Sequence, residues 1–154
     1  MKVLIADPIS KHGLSILSNS GLDLIIKAES SLDEKLSAVK DVDGIIIRSG
    51  TKVDYEMLQI AKCLKVIGRA GVGIDNIDLV AATRKGIVVM NTPDVNTISA
   101  AEHTIALILT LARNIHLGHS SLVDGVWDRH NLIGTELRNK KIGILGLGKI
   151  GKEV

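Results

Sequence analysis

Three clusters in this chain combine residues of the right kinds, closely enough placed, to bind or handle a ligand. The first is the run Lys141-Ile-Gly-Ile-Leu-Gly146-Leu-Gly148-Lys-Ile-Gly151, an apolar segment leading into a Gly-x-Gly-x-x-Gly triplet. In such a strand-to-helix turn the first glycine permits the tight bend. The second lets a pyrophosphate approach the backbone, and the third lets the helix pack against the strand. Gly146, Gly148 and Gly151 therefore read as a dinucleotide-binding turn. The acidic residue expected about 20 positions later, which would grip a ribose hydroxyl, falls beyond Val154. These 154 residues are thus expected to indicate a cofactor class without holding the cofactor well.

The second cluster is Arg48-Ser49-Gly50-Thr51-Lys52, and the third is Gly68-Arg69-Ala70-Gly71-Val72-Gly73-Ile74-Asp75-Asn76. Each follows an apolar, strand-like run, and ligands of open α/β sheets bind outside the carboxyl ends of the strands. Two cations and two hydroxyls in the second cluster suit an anion with several oxygens, because a guanidinium can fork onto phosphate or carboxylate while Ser49 and Thr51 add neutral donors. The competing reading is a solvated turn in which Thr51 and Asp54 act as caps. In the third cluster the glycines would let several N–H groups converge on a carboxylate, with Arg69 supplying charge. Its competing reading is a tight crossover.

Other reactive side chains form no comparable constellation. His12, His103, His116, His119 and His130 lack metal spacing, since His116-x-x-His119 offers two ligands where zinc takes three or four, and no metal site is expected. Glu102 and His103 are neighbours on a helix and point to different faces. Cys63 has no partner cysteine or histidine that spacing can assign, and a buried, inert thiol is the expectation.

The elements that must position these clusters follow from periodicity. Five β-rich runs (residues 3–6, 22–26, 44–48, 65–68 and 87–90) alternate with helical stretches at 10–17, 31–39, 55–61 and 78–85. Ser31-x-x-Glu34 has capping-box spacing, and Asp54 and Asp78 stand where N-caps belong. Continuous apolar strands such as Ile45-Ile46-Ile47 indicate a parallel sheet buried on both faces. The expectation is an α/β fold, with a flavodoxin-like parallel layer to about residue 92. A phospho-acceptor receiver domain would share that layer, with Asp7 at its first strand, but it needs an aspartate after the third strand, where Arg48 stands. Pro93 follows in a polar turn, then an almost uniformly apolar helix from Thr97 to Ile115 that one sheet face cannot bury alone. Residues 116–140 read as a helix and an irregular arm carrying Trp127, and 141–146 as a strand. A second copy of the chain is the expected cover for helix 97–115, giving a homodimer.

Composition narrows the partners. A net charge of +2 with two aromatic side chains, Tyr55 and Trp127, argues against nucleic acid. The most apolar segment, 105–112, is far short of the ~20 residues of a membrane span. With one cysteine and no signal-peptide pattern after Met1, cytoplasm is the expected location.

The motifs Gly68-Arg-Ala-Gly-Val-Gly-Ile-Asp-Asn-Ile-Asp78, Ala81-Ala-Thr-Arg-Lys-Gly86 through Pro93, Gly134-Thr-Glu-Leu137 and Gly146 through Val154 agree in order and separation with one family. The whole chain resembles the NAD-dependent D-2-hydroxyacid dehydrogenases. The resemblance implies a flavodoxin-like substrate-binding domain over 1–95. It also implies that 96–154 begins a Rossmann NAD-binding domain, with a long interface helix. Substrate contacts would fall on Arg48, Ser49, Arg69, the Gly71-Val72-Gly73 backbone and Asn96. Val72 would border the nicotinamide, and Gly146, Gly148, Lys149, Ile150 and Gly151 would serve the pyrophosphate. The family's catalytic arginine, glutamate and histidine would all lie beyond position 154, so no catalytic residue is expected here and the 154 residues alone are expected to be inactive.

Arg48 and Arg69, with Lys52, are more cationic charge than a single carboxylate needs, which favours a phosphorylated acid. The implied reaction is hydride transfer from C2 of 3-phosphoglycerate to NAD, giving 3-phosphohydroxypyruvate, the first step of serine biosynthesis. A glyoxylate or hydroxypyruvate reductase of the same family is the alternative enzyme, and a non-catalytic binding or dimerisation module is the alternative from another class.

Overall fold

The five apolar runs form five strands: β1 (Lys2–Ile5), β2 (Asp23–Ile26), β3 (Gly44–Ile47), β4 (Val66–Arg69) and β5 (Val88–Asn91). All neighbours are parallel, in the order β2-β1-β3-β4-β5, within a computed structural model that describes residues 1–154. The fold is the expected α/β class. Parallel neighbours require crossovers, and four helices supply them: α1 (Lys11–Asn19), α2 (Leu32–Ala38), α3 (Tyr55–Ile60) and α4 (Leu79–Arg84). Each starts at a side-chain cap. Ser10, Ser31, Asp54 and Asp78 accept from the amides of Gly13, Glu34, Met57 and Ala81, and Glu34 completes the capping box by accepting from the Ser31 amide at 3.0 Å. That amide bond, with Lys27 nearby, holds the Glu34 carboxyl below its ordinary pKa.

The strand order reverses between β1 and β3, so the ends of these two strands open a crevice where ligands of such sheets bind. Beneath it lies the core. Leu4, Ala6, Ile45, Ile47 and Ile67 from one sheet face pack with Val39, Met57, Leu58, Ala81 and Ala82 from the helical layer of α3, α4 and the 3₁₀ turn Val39–Asp41, and with Val42 just after that turn. The opposite face is less uniformly covered than the sequence suggests. Val3 and Ile5 are buried there, but at the β5 edge Val88 and Met90 are exposed. Cys63, in the turn between α3 and β4, is exposed and not buried as expected.

The chain divides into two compact units, Met1–Val95 and Asn96–Val154. The second contains α5 (Thr97–Ala112), α6 (Ile115–Val123) and α7 (Lys149–Glu153). Helix α5 stops at Ala112, short of the expected Ile115, because Asn114 adopts a left-handed backbone (φ 53°) that no α-helix can continue through, and α6 starts beyond it. Residues 141–146 do not form a strand, which corrects the sequence expectation. A β-strand exists only through a ladder to a neighbour, and no other strand lies in this unit to pair with it. Helix α5 packs against α6 and α7 and leaves Ile98, Leu107 and Leu111 exposed. No helix is long and apolar enough to cross a membrane.

Candidate functional site

The loop after β3 is built around Asp7. This residue follows β1, is 3% exposed, and directs its carboxylate at the neighbouring strand end. Its Oδ2 accepts from the amides of Arg48 at 2.6 Å and Thr51 at 2.9 Å, and its Oδ1 accepts from the Thr51 hydroxyl at 2.6 Å. The Lys35 ammonium lies 3.8 Å from Oδ1 and 3.3 Å from the Thr51 hydroxyl oxygen. Burial by itself would raise the Asp7 pKa. The Thr51 hydroxyl, the two amides and Lys35 together outweigh it and hold the carboxyl below its ordinary value.

From the other side, Asn76 donates through Nδ2 to the carbonyls of Arg48 and Thr51, both at 2.7 Å. The four main-chain polar groups at the two ends of the loop are thus satisfied by two side chains, one carboxylate and one amide. Held at its ends, the loop leaves Arg48, Ser49 and Gly50 exposed. Arg48 lines a cavity of about 510 Å³ together with Ile9, Ser10, Ile46 and Ala70.

The two strand ends adjoin, because Ile47 pairs with Arg69 and the Ala70 amide donates to the Ile47 carbonyl at 2.8 Å. Past β4 the chain folds tightly. The Gly71 amide donates back to the Arg69 carbonyl at 2.8 Å, the Thr92 amide donates to the Gly71 carbonyl at 3.0 Å, and Asn91 Nδ2 donates to the Val72 carbonyl at 2.7 Å. The end of β5 therefore secures the Gly71-Val72 segment. None of its glycines has a positive φ, so the expected reason for them, unusual backbone angles, does not apply. Gly71 is needed for space. A Cβ there would overlap the Arg69 guanidinium, with Cζ at 2.9 Å. Arg69 lies folded across the bare backbone, and its buried Nε has no hydrogen-bond partner in the protein.

Two expected donors do not join this arrangement. Thr51 is 3% exposed, and its hydroxyl is committed to Asp7 and the Ala6 carbonyl, so it shapes the loop and does not face a ligand. Lys52 lines a separate cavity of about 380 Å³ with Leu32, Lys35, Leu36 and Met57, so it does not converge with Arg48 there. Asp7 and Asn76 are residues to which sequence reasoning gives no role in this loop. Asp7 carries a positional signal, a carboxylate just after buried β1, whereas Asn76 lies seven residues beyond β4 and only the fold brings it to Arg48.

In the second unit, Gly146 takes φ 104° and Gly148 is the residue before α7. A Cβ on Gly151 would overlap the Gly146 carbonyl oxygen, so the third glycine is required by close approach of the helix to the turn. These features suit a dinucleotide pyrophosphate, which needs bare backbone at such a turn. Lys149 and Ile150 form the first turn of α7. Asn96 is exposed at the start of α5 and makes no capping bond with its side chain.

Comparison with known proteins identifies the family and the fold. Residues 3–146 match the family model described as D-isomer specific 2-hydroxyacid dehydrogenase, catalytic domain. Over all 154 residues the chain is 50% identical to a D-3-phosphoglycerate dehydrogenase of Archaeoglobus fulgidus, of which it spans 29%. A crystal structure of a Thermus thermophilus protein superposes with a TM-score of 0.89 at 34% identity, covering 99% of this chain and 51% of that one. An NAD-dependent formate dehydrogenase of Staphylococcus aureus in complex with NAD also gives 0.89, at 32% identity over 99% of this chain and 51% of its own.

Proposed function

The chain belongs to the D-isomer specific 2-hydroxyacid dehydrogenases, and within that family we propose that it provides substrate- and cofactor-binding residues of a D-3-phosphoglycerate dehydrogenase. The observation that carries this reading is the 50% identity, across the entire chain, to an enzyme of that name. The reaction is oxidation of 3-phosphoglycerate to 3-phosphohydroxypyruvate, the opening step of serine biosynthesis. A hydride leaves C2, a proton leaves the C2 hydroxyl, and the C–O bond becomes a carbonyl. NAD, when bound, supplies the hydride acceptor.

The residues of this chain bind and orient; proton transfer is assigned to none of them. The substrate carries a carboxylate at one end and a phosphate at the other. Arg48 and Arg69, on adjoining strand ends, supply two guanidinium forks for these anions, and Ser49 adds a neutral donor. The buried Nε of Arg69, without a partner in the protein, supports its assignment to an anion. The Gly71-Val72-Gly73 backbone and Asn96 are likewise assigned to the substrate, and Val72 also to the nicotinamide. Gly146, Gly148, Lys149, Ile150 and Gly151 are assigned to the pyrophosphate, a role supported by the bare, tightly packed turn.

Met1–Val95 is accordingly the substrate unit, and Asn96–Val154 carries the cofactor turn. The exposed apolar side chains of α5 support a second copy of the chain as its cover, in a cytoplasmic homodimer. A second reading is an enzyme for unphosphorylated acids such as glyoxylate or hydroxypyruvate; the observation on its side is that a chain 32% identical to this one belongs to an enzyme named for an unphosphorylated acid, formate. Initial rates of NADH formation or consumption by the protein that carries this chain separate the two. For a phosphoglycerate enzyme, kcat/KM for 3-phosphoglycerate should exceed that for D-glycerate by about a hundredfold, the effect of one charge-assisted anion contact. Faster turnover of hydroxypyruvate or glyoxylate than of the phosphorylated pair would overturn the proposal.

A further inference from the structure

Two partly or fully buried polar side chains outside the proposed contacts, Asp7 and Asn76, grip the same short loop from opposite sides. We infer that they form a positioning clamp for the anion site: Asp7 and Asn76 set the affinity for the substrate by fixing the loop from which Arg48 and Ser49 project. This inference rests on the reading of Arg48 as a substrate contact.

The geometry makes the two roles complementary. Asp7 takes the N–H groups of Arg48 and Thr51 at 2.6 and 2.9 Å, and Asn76 gives its two amide protons to the carbonyls of the same residues at 2.7 Å each. An acceptor-only group answers two donors, and a donor answers two acceptors, so exchanging their chemistry would fail at both places. Gly50, at the crown of the loop, lies directly over the carboxylate, where a Cβ would come within 3.0 Å of Asp7 Oδ1. The Thr51 hydroxyl and Lys35 occupy the other carboxylate oxygen, and Lys35, on α2, holds the carboxylate from outside the loop. Asn76 is itself anchored to the loop's continuation, because its carbonyl accepts from the Val53 amide at 2.9 Å beside the Val53–Ile77 bridge. A rigid support of this kind matters because a binding group that is not already held in place must be ordered when the ligand binds, at the expense of affinity.

The clamp touches neither the cofactor turn nor the reacting carbon in this reading, so its loss should be seen in substrate KM and not in kcat or in the KM for NAD. In the protein that carries this chain, Asp7→Ala, Asn76→Ala and Asn76→Asp are each expected to raise the KM for 3-phosphoglycerate by about tenfold or more, with kcat and the KM for NAD within about threefold. Asp7→Asn retains an acceptor for the two amides and is expected to stay within about threefold of the parent KM. That variant and Asn76→Ala keep the inference testable if Asp7→Ala does not fold. The decisive comparison is made on an Arg48→Ala background. There, Asn76→Ala is expected to raise KM by no more than about threefold, because of the groups it positions only the neutral donor Ser49 remains. An unchanged KM in Asn76→Ala, or a full further increase on the Arg48→Ala background, would overturn the clamp. If Arg48→Ala alone leaves KM unchanged, the assignment of Arg48 to the substrate is what fails, and the clamp fails with it.

Discussion

Gly71→Ala separates a binding role of Arg69 from a purely structural one. The new Cβ would overlap the Arg69 guanidinium, but the atoms in its way are the far end of a flexible side chain, and the residue has no positive φ to strain. The arginine can swing clear, so folding should change by no more than about 1 kcal/mol, with the lower backbone entropy of alanine in the unfolded chain acting as a small opposing gain. The guanidinium cannot remain across residue 71, however, and a charge-assisted hydrogen bond to substrate is worth about 1.5–3 kcal/mol. Loss of one such bond lowers kcat/KM by roughly 10- to 150-fold. The assay pairs thermal unfolding with initial rates over a range of 3-phosphoglycerate, and repeats both on an Arg69→Ala background, where Gly71→Ala should add nothing. A near-parental Tm with a sharply raised KM is the expected pair of results. A parental KM would show that Arg69, held in this conformation, does not bind the substrate.

Gly151→Ala meets a harder obstacle, the Gly146 carbonyl in the backbone itself, so α7 must shift away from the turn; fluorescence titration should show NADH binding weakened by about tenfold or more. Asp7 has a folded pKa below its unfolded one, so the unfolded chain binds more protons on acidification. Its contribution to stability is therefore complete above the ordinary aspartate pKa of about 3.9 and disappears as pH falls through the lower folded value. Denaturant midpoints measured against pH should fall in that window, and Asp7→Asn should flatten the slope. Ser31→Ala removes the capping box of α2 and should cost about 1 kcal/mol, or roughly 4–8 °C in Tm, in thermal melts of the substrate unit's transition.

What could be read in the sequence was whatever depends on neighbours along the chain. Alternating apolar runs and caps such as Ser31, Asp54 and Asp78 announced the βα units, because periodicity and capping are local. The candidate clusters after β3 and β4 could be located for the same reason, since strand ends are where such sheets bind ligands. Contacts between strands were not legible. Thr51 reads as a donor to an anion until β1 is placed beside β3, when its hydroxyl is seen to belong to Asp7, 44 residues away. Lys52 likewise reads as a member of the cationic group, but it lines another cavity. Residues 141–146 have every local mark of a strand, yet a strand is a property of a pair, and local marks cannot provide the partner.

The substrate assignment and the clamp both turn on Arg48 and Arg69 together receiving the anionic groups of a phosphorylated hydroxyacid. A crystal structure of the protein that carries this chain, bound to NAD and 3-phosphoglycerate, would decide it. The expected complex has one anionic group of the substrate within hydrogen-bond distance of each guanidinium, with the Arg48–Thr51 loop still held by Asp7 and Asn76. A substrate bound with both arginines turned to solvent would contradict it.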